Sequence, residues 1–264
     1  MKRIYADSRH GQIHVRYWQA GNLQAGTPTI CLQPIPYSGL YFEKIAPLLN
    51  THRDVVAPDY PGYGGSDPLP DKPTIRQYAE AMLDTLDEMG FEDPVDLMGF
   101  HTGCLVAPEI ANIAGDRVRS MVLVDVPYFG IASQKTLYDQ AVSPHVITEE
   151  LISLEKFWRF SVSDRKAPIS LDRAYSLFLE QARSGNGEYL GYHAAFTYPA
   201  EDIFSAIPHS ILLIATQSGL LDATRQAAKV FPNCRLTECL EIKALVMDTG
   251  ADKIAKLVTE YLSV

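Results

Sequence analysis

The chain has 264 residues, 47% hydrophobic and 21% charged. That suits one large α/β domain carrying an insertion, or two small domains, with ample core. Its 32 acidic against 23 basic side chains give a net charge of −9, which argues against nucleic acid or an anionic membrane as partner. No run of about 18 apolar residues suggests a membrane span.

The first residues meet Asp7 and Ser8 too soon for a signal peptide. Residues 3–19 alternate as a β-hairpin turning at His10 and Gly11. Residues 29–32 read as a short buried strand, 40–48 as a helix and 54–58 as a strand. The loop Asp59-Tyr60-Pro61-Gly62-Tyr63-Gly64-Gly65-Ser66-Asp67 is rich in turn formers. Thr74 caps a helix running to about Met89. A strand from Val95 leads into Gly99-Phe100-His101-Thr102-Gly103, and an apolar helix runs from Thr102 to about Ala114. Residues 118–124 form a strand with almost no polar interruption. After a long interval the pattern resumes with a strand over 211–215, a helix over 222–230, a strand over 235–240 and a closing helix over 252–262. Short apolar strands alternating with helices imply a parallel sheet covered on both faces.

The interval 126–208 has no strand pattern and reads as several helices. It holds half of the chain's aromatic side chains, which suggests an apolar roof, although most of these rings serve the subdomain's own core. Cys31 and Cys104 lie in apolar runs and read as buried hydrophobes. Cys234 and Cys239 flank a predicted strand without partner cysteines. Neither a metal nor a disulfide is expected, and a reducing cytoplasm fits best.

The order and spacing of these elements, the 59–67 loop and the 95–103 turn strongly resemble the α/β-hydrolase superfamily over essentially the whole chain. The resemblance implies an α/β-hydrolase fold: a mostly parallel eight-stranded sheet flanked by helices, with a helical cap inserted after the sixth strand. The core would comprise residues 1–125 and 209–264, and the cap 126–208. The site would lie between cap and sheet, at the strands' carboxyl ends. Residues 99–103 take the place of the family's G-x-S-x-G nucleophile elbow, but its centre is His101. The family's acid position aligns with Ser218 and its histidine position with Ala244. No histidine follows His209. All three triad members are therefore replaced. Where relatives usually carry His-Gly, the loop after the third strand reads Gln33-Pro34-Ile35-Pro36. An oxyanion hole needs backbone N–H groups, and Ile35 and Thr102 retain theirs.

Without the triad the ordinary acyl-enzyme route is closed. His101 can act as a general base or as a nucleophile. A helix N-terminus disfavours imidazolium and so predicts a neutral ring. Asp125, at the end of the neighbouring strand, is the candidate orienting acid, or else it holds loop backbone. Gln33, Tyr37, Tyr128, Trp158 and His193 are the candidate pocket residues. Of the remaining histidines, His10 and His14 form no metal pair, His52 and His209 read as surface loop residues, and His145 lies in a polar cap loop.

The leading expectation is an enzyme that works without a cofactor or metal on a small, mostly apolar carbonyl compound. It would be a hydrolase, lyase or isomerase with His101 as base or polar anchor. The alternatives are a small-molecule-binding pseudoenzyme that kept the pocket, and a hydrolase whose nucleophile lies elsewhere. Nucleic acid and membrane are not expected partners, and homodimerisation is left open.

Overall fold

Eight strands hydrogen-bond into one sheet in the order β1-β2-β4-β3-β5-β6-β7-β8 in the computed structural model, which describes residues 1–21, 26–142 and 148–263. The strands are β1 (Lys2–Ser8), β2 (Gly11–Trp18), β3 (Gly26–Leu32), β4 (Arg53–Pro58), β5 (Val95–Phe100), β6 (Val118–Val124), β7 (Ser210–Thr216) and β8 (Cys234–Cys239). Only β2 runs against its neighbours, and every pairing from β4 to β8 is parallel. β5 is buried along its whole length and β6 at all but Arg119, as expected for strands covered on both faces. Edge strand β8 buries only Cys239 fully.

Helices cover each face. α2 (Ile75–Glu88) and α3 (Gly103–Ile113) pack on one side. α1 (Ala46–Leu49), the single turn α10 (Val246–Thr249) and α11 (Ala251–Leu262) pack on the other. α9 (Leu221–Ala227) lies between β7 and β8. α2 starts at a capping box: the Thr74 hydroxyl accepts from the Gln77 N–H, and the Gln77 side chain accepts from the Thr74 N–H. Completely buried side chains such as Ile30, Leu32, Leu97 and Leu123 each contribute roughly 1.5–3 kcal/mol.

The helix expected over 40–48 is broken. Ser38 caps a 3₁₀ turn at Gly39–Phe42, and α1 begins only at Ala46. Pro47 sits in the first turn of α1. It has no N–H to donate back to residue 43, so one helix cannot run through it.

Between β6 and β7 all the regular structure described is helical: α4 (Gly130–Ala141), α5 (Ile152–Trp158), a π-helical turn at Arg159–Ser163, α6 (Leu171–Arg183), α7 (Glu188–Phe196) and α8 (Ala200–Ala206). Gly191 of α7 lies so close to the loop after β3 that a Cβ there would overlap the Ile35 side chain and the Tyr63 hydroxyl. His145 lies outside the described residues.

Candidate active site

The chain leaves β5 at Phe100, and His101 follows with φ of 49°, a left-handed conformation that histidine tolerates better than most side chains. The turn is tight because two glycines permit it. A Cβ on Gly99 would overlap the Gly103 carbonyl, and one on Gly103 would overlap the Leu32 carbonyl. The His101 N–H donates to Val124 O (3.2 Å), and its carbonyl accepts from the Cys104 N–H (2.8 Å). These bonds hold the strained residue between β6 and α3. The imidazole rests on the Phe100 ring, centroids 4.3 Å apart.

His101 stands on the wall of a cavity of about 650 Å³. The loop after β3 supplies Ile35 and Tyr37, the cap supplies Phe160, Leu177 and Tyr192, and the loops after β7 and β8 supply Ser218 and residues 243–246. Burial pushes the His101 pKa down to about 4, partly opposed by the negative charge of Asp125. The ring is therefore neutral near pH 7. The sequence reading reached the same state from the helix N-terminus, whereas the dominant cause is desolvation.

Asp125 is fully buried, with φ of 53°. Its carboxylate accepts from the Thr216 N–H (2.8 Å) and the Thr216 hydroxyl (2.6 Å). Among the described residues no hydrogen bond reaches the His101 ring, so Asp125 acts on it through its field. The N–H groups of Ile35 and Thr102 donate to no acceptor among the described residues. Thr102 begins α3 from a buried position, where helix geometry leaves its N–H without an intrahelical partner. The Cys104 thiol donates to Val124 O at 3.2 Å, and burial raises its pKa well above the ordinary value. It stays a protonated core group, as its apolar setting implied.

The sequence profile of the alpha/beta hydrolase fold matches residues 27–236. The chain belongs to the α/β-hydrolase fold family. No curated protein sequence matches it significantly. Among solved structures it resembles a hydrolase from Pseudomonas aeruginosa PA01, with 18% identity and a TM-score of 0.79 over 100% of this chain and 99% of the other. It also resembles a thermophilic esterase from Thermogutta terrifontis, with 16% identity and a TM-score of 0.76 over 100% and 98%. An esterase from Exiguobacterium antarcticum gives 14% and 0.77 over 98% and 99%. At these identities the likeness establishes the α/β-hydrolase fold itself.

Within this fold the positions aligned with the family's acid and histidine, Ser218 and Ala244, do line the cavity, but they bring no carboxylate or imidazole to it. Tyr37 lines the cavity, its ring 5.2 Å from that of Tyr41. Gln33 is buried behind the wall. Its amide donates to Tyr37 O at 2.8 Å, and its Oε1 has no partner among the described residues.

Three expected pocket residues lie elsewhere. Tyr128 packs on Phe204 with centroids 5.9 Å apart and borders a separate open pocket beside α9. Trp158 is 38% exposed and meets Tyr175 and Phe178 edge-on within the cap. His193 faces Tyr138, whose hydroxyl is 2.9 Å from Nδ1. In each case the ring finds its partner within or beside the cap rather than in the cavity. His209 is not a free surface residue either, since it is half-buried with Nε2 3.0 Å from Gly115 O.

Sequence reasoning missed the charged side of the cavity, formed by Asp164, Arg165, Lys166 and Lys243. It also missed a buried pair in the core, where His14 Nδ1 lies 2.8 Å from Asp59. Asp59 stands in the turn-rich loop, which was the available signal.

Proposed function

We propose that the chain is an enzyme acting without a cofactor on a small, mostly apolar carbonyl compound, with His101 as base or polar anchor. The observation that carries this reading is a neutral imidazole on the wall of an aromatic-lined cavity, at the end of the central strand. In this reading the Ile35 and Thr102 N–H groups, both without acceptors among the described residues, receive the carbonyl oxygen as charge develops on it. A ring nitrogen of His101 takes the proton from an attacking water as the water oxygen bonds to the carbonyl carbon; the bond from that carbon to the leaving oxygen then breaks, and the leaving oxygen takes the proton. A group with pKa about 4 is a weak base at pH 7. The Asp125 charge offsets part of that weakness by stabilising the imidazolium as it forms. A lyase or isomerase step that needs only a base and an oxyanion site uses the same groups. The four free thiols fit a reducing compartment.

The second reading is a binding protein without turnover. The observation favouring it is that among the described residues no hydrogen bond orients the His101 ring, since Asp125 is held by Thr216. Hydrolysis of 4-nitrophenyl butyrate by wild type and by His101→Ala, with folding checked by circular dichroism, separates the two. The catalytic reading expects a drop of about 100-fold or more, roughly 2.7 kcal/mol of transition-state stabilisation. Equal rates sink the hydrolytic role of His101. Ligand-induced stabilisation without turnover supports the binder.

A further inference from the structure

The cavity is electrically lopsided in a protein that is acidic overall. Most of its lining is aromatic or aliphatic, with Ser161, Gln181 and Ser218 among it, while the exposed Lys166 and Lys243 and the half-buried Arg165 stand at its rim. One carboxylate, Asp164, shares that rim. Its charge is felt by Arg159, which in turn is bound to Glu155.

Arg165 is the fixed member of the group. It is half-buried, its Nη1 donates to Val162 O at 2.6 Å, and its Nε donates to Ile169 O at 3.3 Å. Both acceptors are neutral carbonyls, so among the described residues the guanidinium is held in place without a carboxylate to balance it. Its Nη2 makes no described hydrogen bond. A planar guanidinium already immobilised by its own chain loses little freedom when it binds an anion. Lys166 and Lys243 are exposed and form no ion pair among the described residues. The carboxylate nearest Lys243 in sequence, Glu241, is already paired with Lys253. Cations from cap and core thus line the mouth of one cavity, and each attracts an anion bound there.

We infer that the rim formed by Arg165, Lys166 and Lys243 is an anion subsite, and that the molecule bound in the cavity carries a carboxylate or an equivalent anionic group beside its apolar body. In the proposed enzyme that group anchors the substrate at the rim while its apolar part lies along the aromatic wall toward His101. The word substrate rests on the catalytic reading; the anion preference does not.

The test is calorimetric binding of two non-reacting probes with the same apolar body, 4-phenylbutyrate and 4-phenylbutanol, to the full chain at low and high ionic strength. The expected result is that the carboxylate binds about tenfold more tightly than the alcohol at low salt, as a charged hydrogen bond to a fixed guanidinium allows. That margin should shrink as salt is added. Arg165→Met should remove most of the preference and Arg165→Lys should restore part of it. Lys243→Gln, at an exposed position where folding is not at stake, should reduce it about twofold to threefold. His101→Ala should keep the preference even where it abolishes turnover, so failure of the subsite and failure of the catalytic reading give different results. Equal affinity for the two probes, no binding of either at millimolar concentration, or a preference untouched by both the Arg165 and the Lys243 changes overturns the inference.

Discussion

Two histidines sit beside buried aspartates in this molecule, and they differ in a way that separates architecture from function. Just after β4, Asp59 accepts from His14 Nδ1 (2.8 Å), Arg16 Nη1 (2.9 Å), Gly39 N–H (2.8 Å) and Gly65 N–H (2.9 Å). This arrangement has the form of a catalytic dyad, yet all four donors converge on one carboxylate that locks β2 to two loops. At the end of β5, His101 feels Asp125 only through its charge, and both oxygens of Asp125 are held by Thr216. The well-bonded pair is a buried fastening. The other ring stands on the large cavity, with no hydrogen-bond partner among the described residues. A short His–Asp distance is thus no guide to the proposed reactive centre here.

The largest break in this comparison comes from Asp59→Ala. It strands the buried Arg16 charge and two loop N–H groups, so a loss of about 3–5 kcal/mol is expected, read from urea denaturation. A loss below 1 kcal/mol would show that the cluster is not the fastening described.

The next effect is pH-dependent. His101 has its folded pKa lowered from 6.5 to about 4, so between those values the unfolded chain binds a proton that the folded chain refuses. The stabilisation linked to the neutral ring is complete above pH 6.5 and is lost as pH falls toward 4, by up to about 3 kcal/mol. Denaturation curves across that window should slope less steeply in His101→Phe than in wild type. An unchanged slope would mean that the ring titrates normally. Any activity that needs the neutral ring should stay flat from pH 8 to 5 and fall only near 4, whereas an ordinary histidine would show its loss near 6.5.

The smallest of the three is Thr216→Val, which deletes one charged hydrogen bond to Asp125 while keeping shape. About 2 kcal/mol of stability should be lost. The freed carboxylate oxygen should raise the His101 pKa, as an NMR titration of that ring would read. A His101 pKa that does not move would show that Asp125 does not act on it.

The sheet was legible because β3, β5, β6 and β7 are apolar runs long enough to cross a buried layer, and the glycines around His101 announced the turn. The reading over 40–48 failed because apolar spacing outweighed Pro47, whose missing N–H breaks the helix. The pocket residues were harder for a different reason. The sequence places Trp158, His193 and Tyr128 in an aromatic-rich interval, but does not tell which neighbours their rings meet. Their partners, Phe178, Tyr138 and Phe204, are settled by packing between helices. Arg165 left no trace either, because nothing in its neighbourhood marks the carbonyls that immobilise it. Thr216 is the clearest case, since its hold on Asp125 joins two strands 91 residues apart.

Gly191 limits how this protein could be remodelled. Its bare backbone nests against the side chain of Ile35, the residue whose N–H is one of the two donors proposed for an oxyanion site. Cap and core therefore meet at the Ile35 side chain without a spacer. A foreign cap bearing any larger residue at this point would push on the loop it has to cover. Graft experiments that treat the helical insertion as an exchangeable module should keep this one contact and vary everything around it.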